Sequence, residues 1–259
     1  MPEHIIFCWT GSGNSLYDAK FIAAALDGET LIRPMRGGVP PGVKTVGFVF
    51  PVYYWTMPAP VANFIRATEL PEGVYYYAVA NYGAILGIAL GDLELLLKGK
   101  GRSLSYHAHH PSVANYIAIY NPFPDPAKRI PEAAERTAAI AADVAWGAVV
   151  PPPRRRVPRV VQALFHKSVS WGNFGKGFDR GYRVSADCVA CGLCERLCPV
   201  GNIAMESGRP VFRHGCEHCM SCIQNCPKQA LNYKNATQAR TRYRHPEVAV
   251  QELADLLTR

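Results

Sequence analysis

The residues best suited to chemistry are cysteines. The chain holds nine, and eight of them lie between Cys188 and Cys226. They form two strings of one pattern, C-x2-C-x2-C-x3-C-P: Cys188, Cys191, Cys194, Cys198 and Pro199, then Cys216, Cys219, Cys222, Cys226 and Pro227. Every cysteine of the first string recurs 28 positions on, as 188 does at 216. Four thiolates around an iron–sulfur cubane need this kind of supply, with three from one tight turn and a fourth from elsewhere. Structural zinc takes its four ligands as two separated pairs. A disulfide framework belongs to small exported domains. The spacing therefore predicts two [4Fe-4S] clusters held by the eight cysteines. Pro199 and Pro227 would bend the chain away after each fourth ligand. His214 and His218 lie among the ligands, are not needed by them, and are read as solvated or supporting residues.

A second constellation follows the apolar run His4–Trp9 (HIIFCW). It is the turn Thr10-Gly11-Ser12-Gly13-Asn14-Ser15, and a helical pattern comes next. A strand-to-helix turn gathers unpaired backbone N–H groups and the positive helix end, which suits an anion. Leu16 stands where a Rossmann loop needs its third small residue, and no Gly-Lys-Ser/Thr string marks a Walker loop. A plain glycine turn capped by Ser12 or Asn14 is the competing reading. Two further segments end strand candidates on the same side: Pro51-Val52-Tyr53-Tyr54-Trp55-Thr56-Met57-Pro58 and Asn81-Tyr82-Gly83. Their aromatic rings could cover a flat heterocycle, although a single aromatic beside a strand is ordinarily core. The loops 10–15, 51–58 and 81–87 carry no Asp or Glu.

These groups must be positioned by ordered elements. Strands are expected at His4–Trp9, Thr30–Arg33, Lys44–Phe50, Val74–Ala80 and Ser103–Ala108. Helices are expected at Asn14–Leu26, Ala59–Thr68, Ala84–Leu97 and from Pro131 to Trp146. Alternation of this kind implies a parallel, doubly wound α/β sheet of five strands, with order 2-1-3-4-5 as one of two common choices. The divisions read from composition are an α/β domain at 1–150, a Pro/Arg-rich linker with a bridging helix at 151–181, a small cysteine domain at 182–235, and a terminal helical segment at 236–259. Val149–Arg159 (VVPPPRRRVPR) has little to bury, Val160–Trp171 is a helix candidate, and Pro246–Leu257 reads as the last helix.

The turn TGSGNS resembles the FMN phosphate loop of flavodoxins, and residues 182–235 resemble a bacterial-type ferredoxin with two [4Fe-4S] clusters. As a whole the chain resembles the fused flavodoxin-like and ferredoxin proteins of anaerobes. That resemblance implies a flavodoxin-like fold plus a small α+β dicluster domain. It implies FMN held by Thr10, Gly11, Ser12, Gly13, Asn14, Ser15, Pro51, Tyr53, Tyr54, Trp55, Asn81, Tyr82, Gly83 and Asn115. It also implies crossed ligation: Cys188, Cys191, Cys194 and Cys226 for one cluster, Cys216, Cys219, Cys222 and Cys198 for the other. The expected role is electron transfer between FMN, the clusters and a redox partner protein. A reductase whose clusters feed FMN for a small-molecule substrate (or NAD(P)H or quinone) is the alternative.

The net charge of +8 does not by itself point to nucleic acid. Eight thiolates and two cluster cores of about +2 each bring it to about +4, and a flavin phosphate of about −2 brings it to about +2. Arg154-Arg155-Arg156 is read as a solvated linker, and a nucleic-acid partner is not expected. An apolar fraction of 49% supports a sizeable core. No apolar run reaches the length of a membrane span and no signal segment is recognisable, so a cytoplasmic location without membrane insertion is expected. No Ser-His-Asp, H-E-x-x-H or paired-carboxylate arrangement supports hydrolysis.

Overall fold

A computed structural model of the chain describes residues 1–154, 160–161 and 177–258. Most of the linker, the helix candidate Val160–Trp171 beyond its first two residues, and Trp171–Lys176 lie outside the described residues. The chain forms two compact units: Met1–Thr10, Asn14–Ala114 and Pro124–Pro158 make the first, and Gly11–Gly13, Asn115–Phe123 and Arg159–Arg259 the second. These units differ from the divisions read from composition, because two short pieces within 1–150 belong with the cysteine region.

The first unit carries strands β1 (His4–Cys8), β2 (Thr30–Pro34), β3 (Thr45–Pro51), β4 (Tyr75–Tyr82) and β5 (Tyr106–Pro111). Its helices are α1 (Asn14–Ala25), α2 (Ala59–Ala67), α3 (Ala89–Lys98) and α4 (Pro126–Trp146). All strand pairs are parallel, in the order β2-β1-β3-β4-β5, which is the flavodoxin-like winding. Parallel strands covered on both faces read as continuous apolar runs, and β1 and β3 do so: every residue of β1 and all but the last of β3 are buried. Ile5, Phe7, Phe48 and Phe50 pack in one core with Val61, Ile65, Leu93 and Leu97 from α2 and α3. Helices α1 and α4 pack together elsewhere on the sheet.

Several boundaries differ from expectation, the start of β5 (Tyr106) and of the last helix (Val250) among them, and three have a local reason. Helix α3 starts at Ala89 instead of Ala84 because Gly87 takes φ +64° against the Trp55 peptide. Helix α4 starts at Pro126, since Asp125 accepts from the Ala127 N–H at 3.0 Å and Pro126 suits the first turn. Strand β5 runs three residues further than the expected end because its ladder with β4 continues to Tyr82↔Pro111.

The second unit is a duplicated motif. Strand β6 (Tyr182–Val184) pairs antiparallel with β9 (Leu231–Tyr233), and β7 (Ile203–Glu206) with β8 (Arg209–Phe212). One-turn helices α5 (Leu193–Arg196) and α6 (Ser221–Gln224) hold matching places in the two cysteine runs. The 28-residue repeat extends to backbone conformation: φ is 55° at Ala190 and 57° at His218, 70° at Gly192 and 59° at Met220, 61° at Gly201 and 49° at Gln229. A side-chain-bearing residue in this region costs about 1–2 kcal/mol, so its recurrence marks a geometry imposed on both copies. Ile117 and Ala118 join Phe178, Tyr182, Ile223 and Leu231 in the core of this unit, which explains why Asn115–Phe123 belongs to it. The terminal helix α7 (Val250–Thr258) packs on α5.

Candidate functional site

Strand order brings Thr10, Pro51 and Asn81 to the carboxyl edge of three adjacent strands, since Cys8 pairs with Val49 and Pro51 with Asn81. Beyond Pro51 the chain makes a two-residue hairpin: Tyr53 N–H donates to Thr56 O and Thr56 N–H to Tyr53 O, each at 3.0 Å. Tyr54 and Trp55 occupy its corners at φ 49° and 65°. Bulky residues in that conformation are costly and gather at functional sites. The turn is fixed by Ile88 N–H donating to Trp55 O at 2.8 Å. A Cβ on Gly87 would lie 2.0 Å from the same oxygen. Trp55 remains 44% exposed. A carboxylate does reach this loop, from α3: Asp92 Oδ2 accepts from Thr56 Oγ1 at 3.1 Å. Tyr82 lies tilted against His109 at 5.7 Å between centroids. Gly83 admits no side chain, because a Cβ there would fall 2.4 Å from that of Ala114.

Next to Ser15, within the first unit, lies a polar cluster that sequence reasoning missed. Asp18 Oδ2 accepts from Asn81 Nδ2 at 2.9 Å and faces His110 Nε2 at 3.0 Å, while Thr137 Oγ1 donates to Oδ1 at 2.7 Å. Asn81 Nδ2 also donates to Ser15 Oγ at 2.8 Å, so both amide hydrogens of Asn81 are used here. Burial alone would drive Asp18 and His110 neutral. Their facing charges outweigh it, holding Asp18 below and His110 above the ordinary range. A carboxylate on the inner face of α1, one turn after Ser15, is the signal that could have revealed it.

Within the second unit, Ser12 is tied at two atoms: Asn115 Nδ2 donates to its Oγ at 2.9 Å and His245 N–H to its carbonyl at 2.8 Å. A Cβ on Gly11 would come 2.2 Å from Cys219 O, so this glycine is required by a peptide contact. Asn115 O accepts from Gln224 Nε2 at 2.7 Å. Thr10, Ser12, Asn14 and Ser15 are all buried, and Asn14 Nδ2 donates to Val113 O at 3.4 Å. The donor set suits a phosphate. The turn opens a 12-residue helix with no acid in its first turn, and Ser12 and Ser15 accept at Oγ, leaving each hydroxyl proton to donate.

The cysteines meet across the repeat. One cavity is lined by Cys188, Cys191 and Cys194 from the first run together with Cys226 from the second, walled by Val184, Leu193, Met205, Pro210 and Leu231. Electrostatic neighbours follow the same crossing: Cys194 feels Cys191 and Cys226, whereas Cys219 feels Cys198 and Cys216. Burial and mutual repulsion push the Cys194 thiol up to about 11 and raise Cys216, Cys219 and Cys222 as well. Thiols in such a place ionise together only beside a cation, so the donor set fits a positively charged cluster core. Among the described residues no three His, Cys, Asp or Glu side chains are gathered tightly enough for a single metal ion. Donors to sulfur are in place: Asn202 N–H to Cys198 Sγ at 3.1 Å, His218 N–H to Cys216 Sγ at 3.4 Å, and the Tyr182 hydroxyl at 3.5 Å from Cys216 Sγ. Ser221 Oγ is fully buried with no hydrogen-bond partner among the described residues. His218 stacks on Phe178 at 4.0 Å, and His214 Nδ1 lies 3.0 Å from Asp179 Oδ1.

No family model matches the chain. Over 51 residues it is 40% identical to the polyferredoxin protein MvhB of Methanothermus fervidus. That stretch is 20% of this chain, and the chain spans 12% of that relative's length. Among solved structures it is similar to an FMN-dependent NADH-azoreductase from Bacillus anthracis in complex with FMN (10% identity, 56% of this chain, 100% of that one, TM-score 0.42). It is also similar to rubredoxin oxygen:oxidoreductase from Desulfovibrio gigas (13% identity, 55% of this chain, 35% of that one, TM-score 0.38). The flavodoxin-like class of the first unit rests on its own strand order. No described helix is long and apolar enough to cross a membrane.

Proposed function

We propose that the chain is an electron carrier, located in the cytoplasm, that uses one FMN and two [4Fe-4S] clusters and exchanges electrons with a protein partner. The observation that carries this reading is the cavity in which Cys188, Cys191 and Cys194 meet Cys226. That arrangement matches the crossed ligation of paired cubanes, and Cys216, Cys219, Cys222 and Cys198 form the second set. When bound, the clusters supply one-electron capacity and the flavin one- or two-electron capacity. The protein's part is positional. The thiolates would anchor the irons against the apolar wall of the cavity. Backbone N–H groups and hydroxyls of Thr10–Ser15 would take the flavin phosphate. Tyr53, Tyr54, Trp55, Tyr82, Pro51, Asn81, Gly83 and Asn115 are the residues that would hold the ring. Carrying both cofactor types on one chain raises their effective concentration toward each other.

Anaerobic purification, iron and sulfide counting and flavin extraction test this directly. About eight iron, eight sulfide and one FMN per chain are expected. Colourless protein, or protein carrying zinc without flavin, contradicts the reading. Steady reduction of a quinone or oxidation of NAD(P)H without any protein partner would make the chain a reductase instead.

A further inference from the structure

Arg242 lies beyond the repeated segment and has no counterpart within it. Its guanidinium is anchored at one nitrogen only: Nη2 donates to Asn232 Oδ1 at 2.6 Å and to Leu231 O at 3.4 Å. Asn232 Oδ1 is itself held by Thr237 Oγ1 at 2.9 Å. The other two nitrogens, Nε and Nη1, are buried and meet no acceptor among the described residues. Leaving a buried donor unpaired costs about 1–3 kcal/mol, and more when it is charged. A fork anchored so as to present two such donors implies an acceptor the polypeptide does not supply. Leu231, whose carbonyl Nη2 reaches, also lines the cavity that holds Cys226, and the thiols nearest in charge are Cys226 and then Cys222.

We propose that Arg242 is a positioning residue for the cluster bound through Cys226: Nε–H and Nη1–H donate to its sulfur atoms, and the fixed positive charge raises its reduction potential. The inference rests on the two-cluster reading. One-electron reduction adds one negative charge to a cluster. A cation and two N–H donors against its sulfurs stabilise the reduced state more than the oxidised one. The cysteine spacing is the same for both clusters, and the contacts to Cys198 and Cys216 fall on the other one, so loss of this residue is expected to move the potential of its own cluster.

The test uses the full chain, purified anaerobically, with Arg242→Gln and Arg242→Lys. Each cluster is titrated by EPR against reference dyes after iron is counted. Arg242→Gln is expected to keep its iron and to lower one cluster's reduced-to-oxidised ratio at fixed potential at least tenfold, a shift of about 59 mV for one electron. Arg242→Lys, which keeps the charge and loses the fork, is expected to fall between Gln and the parent. Unchanged ratios in iron-replete Arg242→Gln overturn the proposal. If that variant loses iron, Asn232→Ala decides, since it keeps the arginine and releases Nη2. A change of at least threefold in the same direction is expected there, and none would overturn the proposal. Parent protein without clusters would overturn the underlying reading instead, and the iron count separates the two failures.

Discussion

Asp18 keeps its charge on the buried face of α1 because His110, Asn81 and Thr137 converge on it from β5, β4 and α4. Removing one member of a buried pair costs about 3–5 kcal/mol, and Asp18→Ala is expected to destabilise the first unit by that order in denaturant melts. The pair also fixes a pH dependence. The pKa of Asp18 is lowered, so its share of stability is present above the ordinary carboxylate value and is lost as pH falls through the lowered one. The pKa of His110 is raised, so its share is complete below 6.5 and is lost as pH rises through the raised value; Arg136 opposes that raise. The denaturant midpoint should therefore decline as pH climbs above 6.5, and His110→Gln should flatten the decline. An unaltered slope in that variant contradicts the assignment. Only Asp18 itself, a carboxylate on the inner face of α1, could have signalled this in the sequence; its partners are scattered from 81 to 137 and each is an ordinary polar residue. The cysteines were legible because their pattern lies in the spacing along the chain itself.

At the scale of elements, the five strands and four helices of the first unit were readable from apolar periodicity and their order only as one of two common choices, whereas the ends of elements were decided by contacts that periodicity does not encode. The late start of α3 is the clearest case. Gly87 turns at positive φ to bring its backbone against Trp55, and that contact in turn holds the strained Tyr54–Trp55 corner. Gly87→Ala would add about 1–2 kcal/mol of backbone strain to a direct clash with Trp55 O. The expected result is displacement of the corner, a lower denaturant midpoint and FMN binding weakened at least tenfold, read by flavin fluorescence. Gly38→Ala, where an added Cβ meets nothing within 4 Å, should leave both unchanged. Equal behaviour of the two variants would remove the proposed role of the corner.

At the scale of the whole molecule, composition located the proline- and arginine-rich stretch but could not show which core each short segment joins. Ile117 illustrates why. It looks like one apolar residue after a strand, yet it is fully buried in the cysteine unit, and its carbonyl accepts from Arg240 Nη1 at 2.6 Å. A fragment of residues 1–150 would strand Ile117 and Ala118 in water. Exposing a residue of the size of Ile117 costs about 1.5–3 kcal/mol. That fragment is expected to aggregate or to melt at lower denaturant than the first unit does in the intact protein, as size-exclusion and circular dichroism would show. Full-chain stability in the fragment would contradict this.

Because Gly11–Gly13 and Asn115–Phe123 sit between stretches of the first unit while belonging to the second, no single crossover in the gene exchanges one half cleanly for a homologous half. Recombination would have to replace three separate coding pieces at once. The two halves are therefore expected to be inherited as a single block, with matched changes accumulating in all three pieces together.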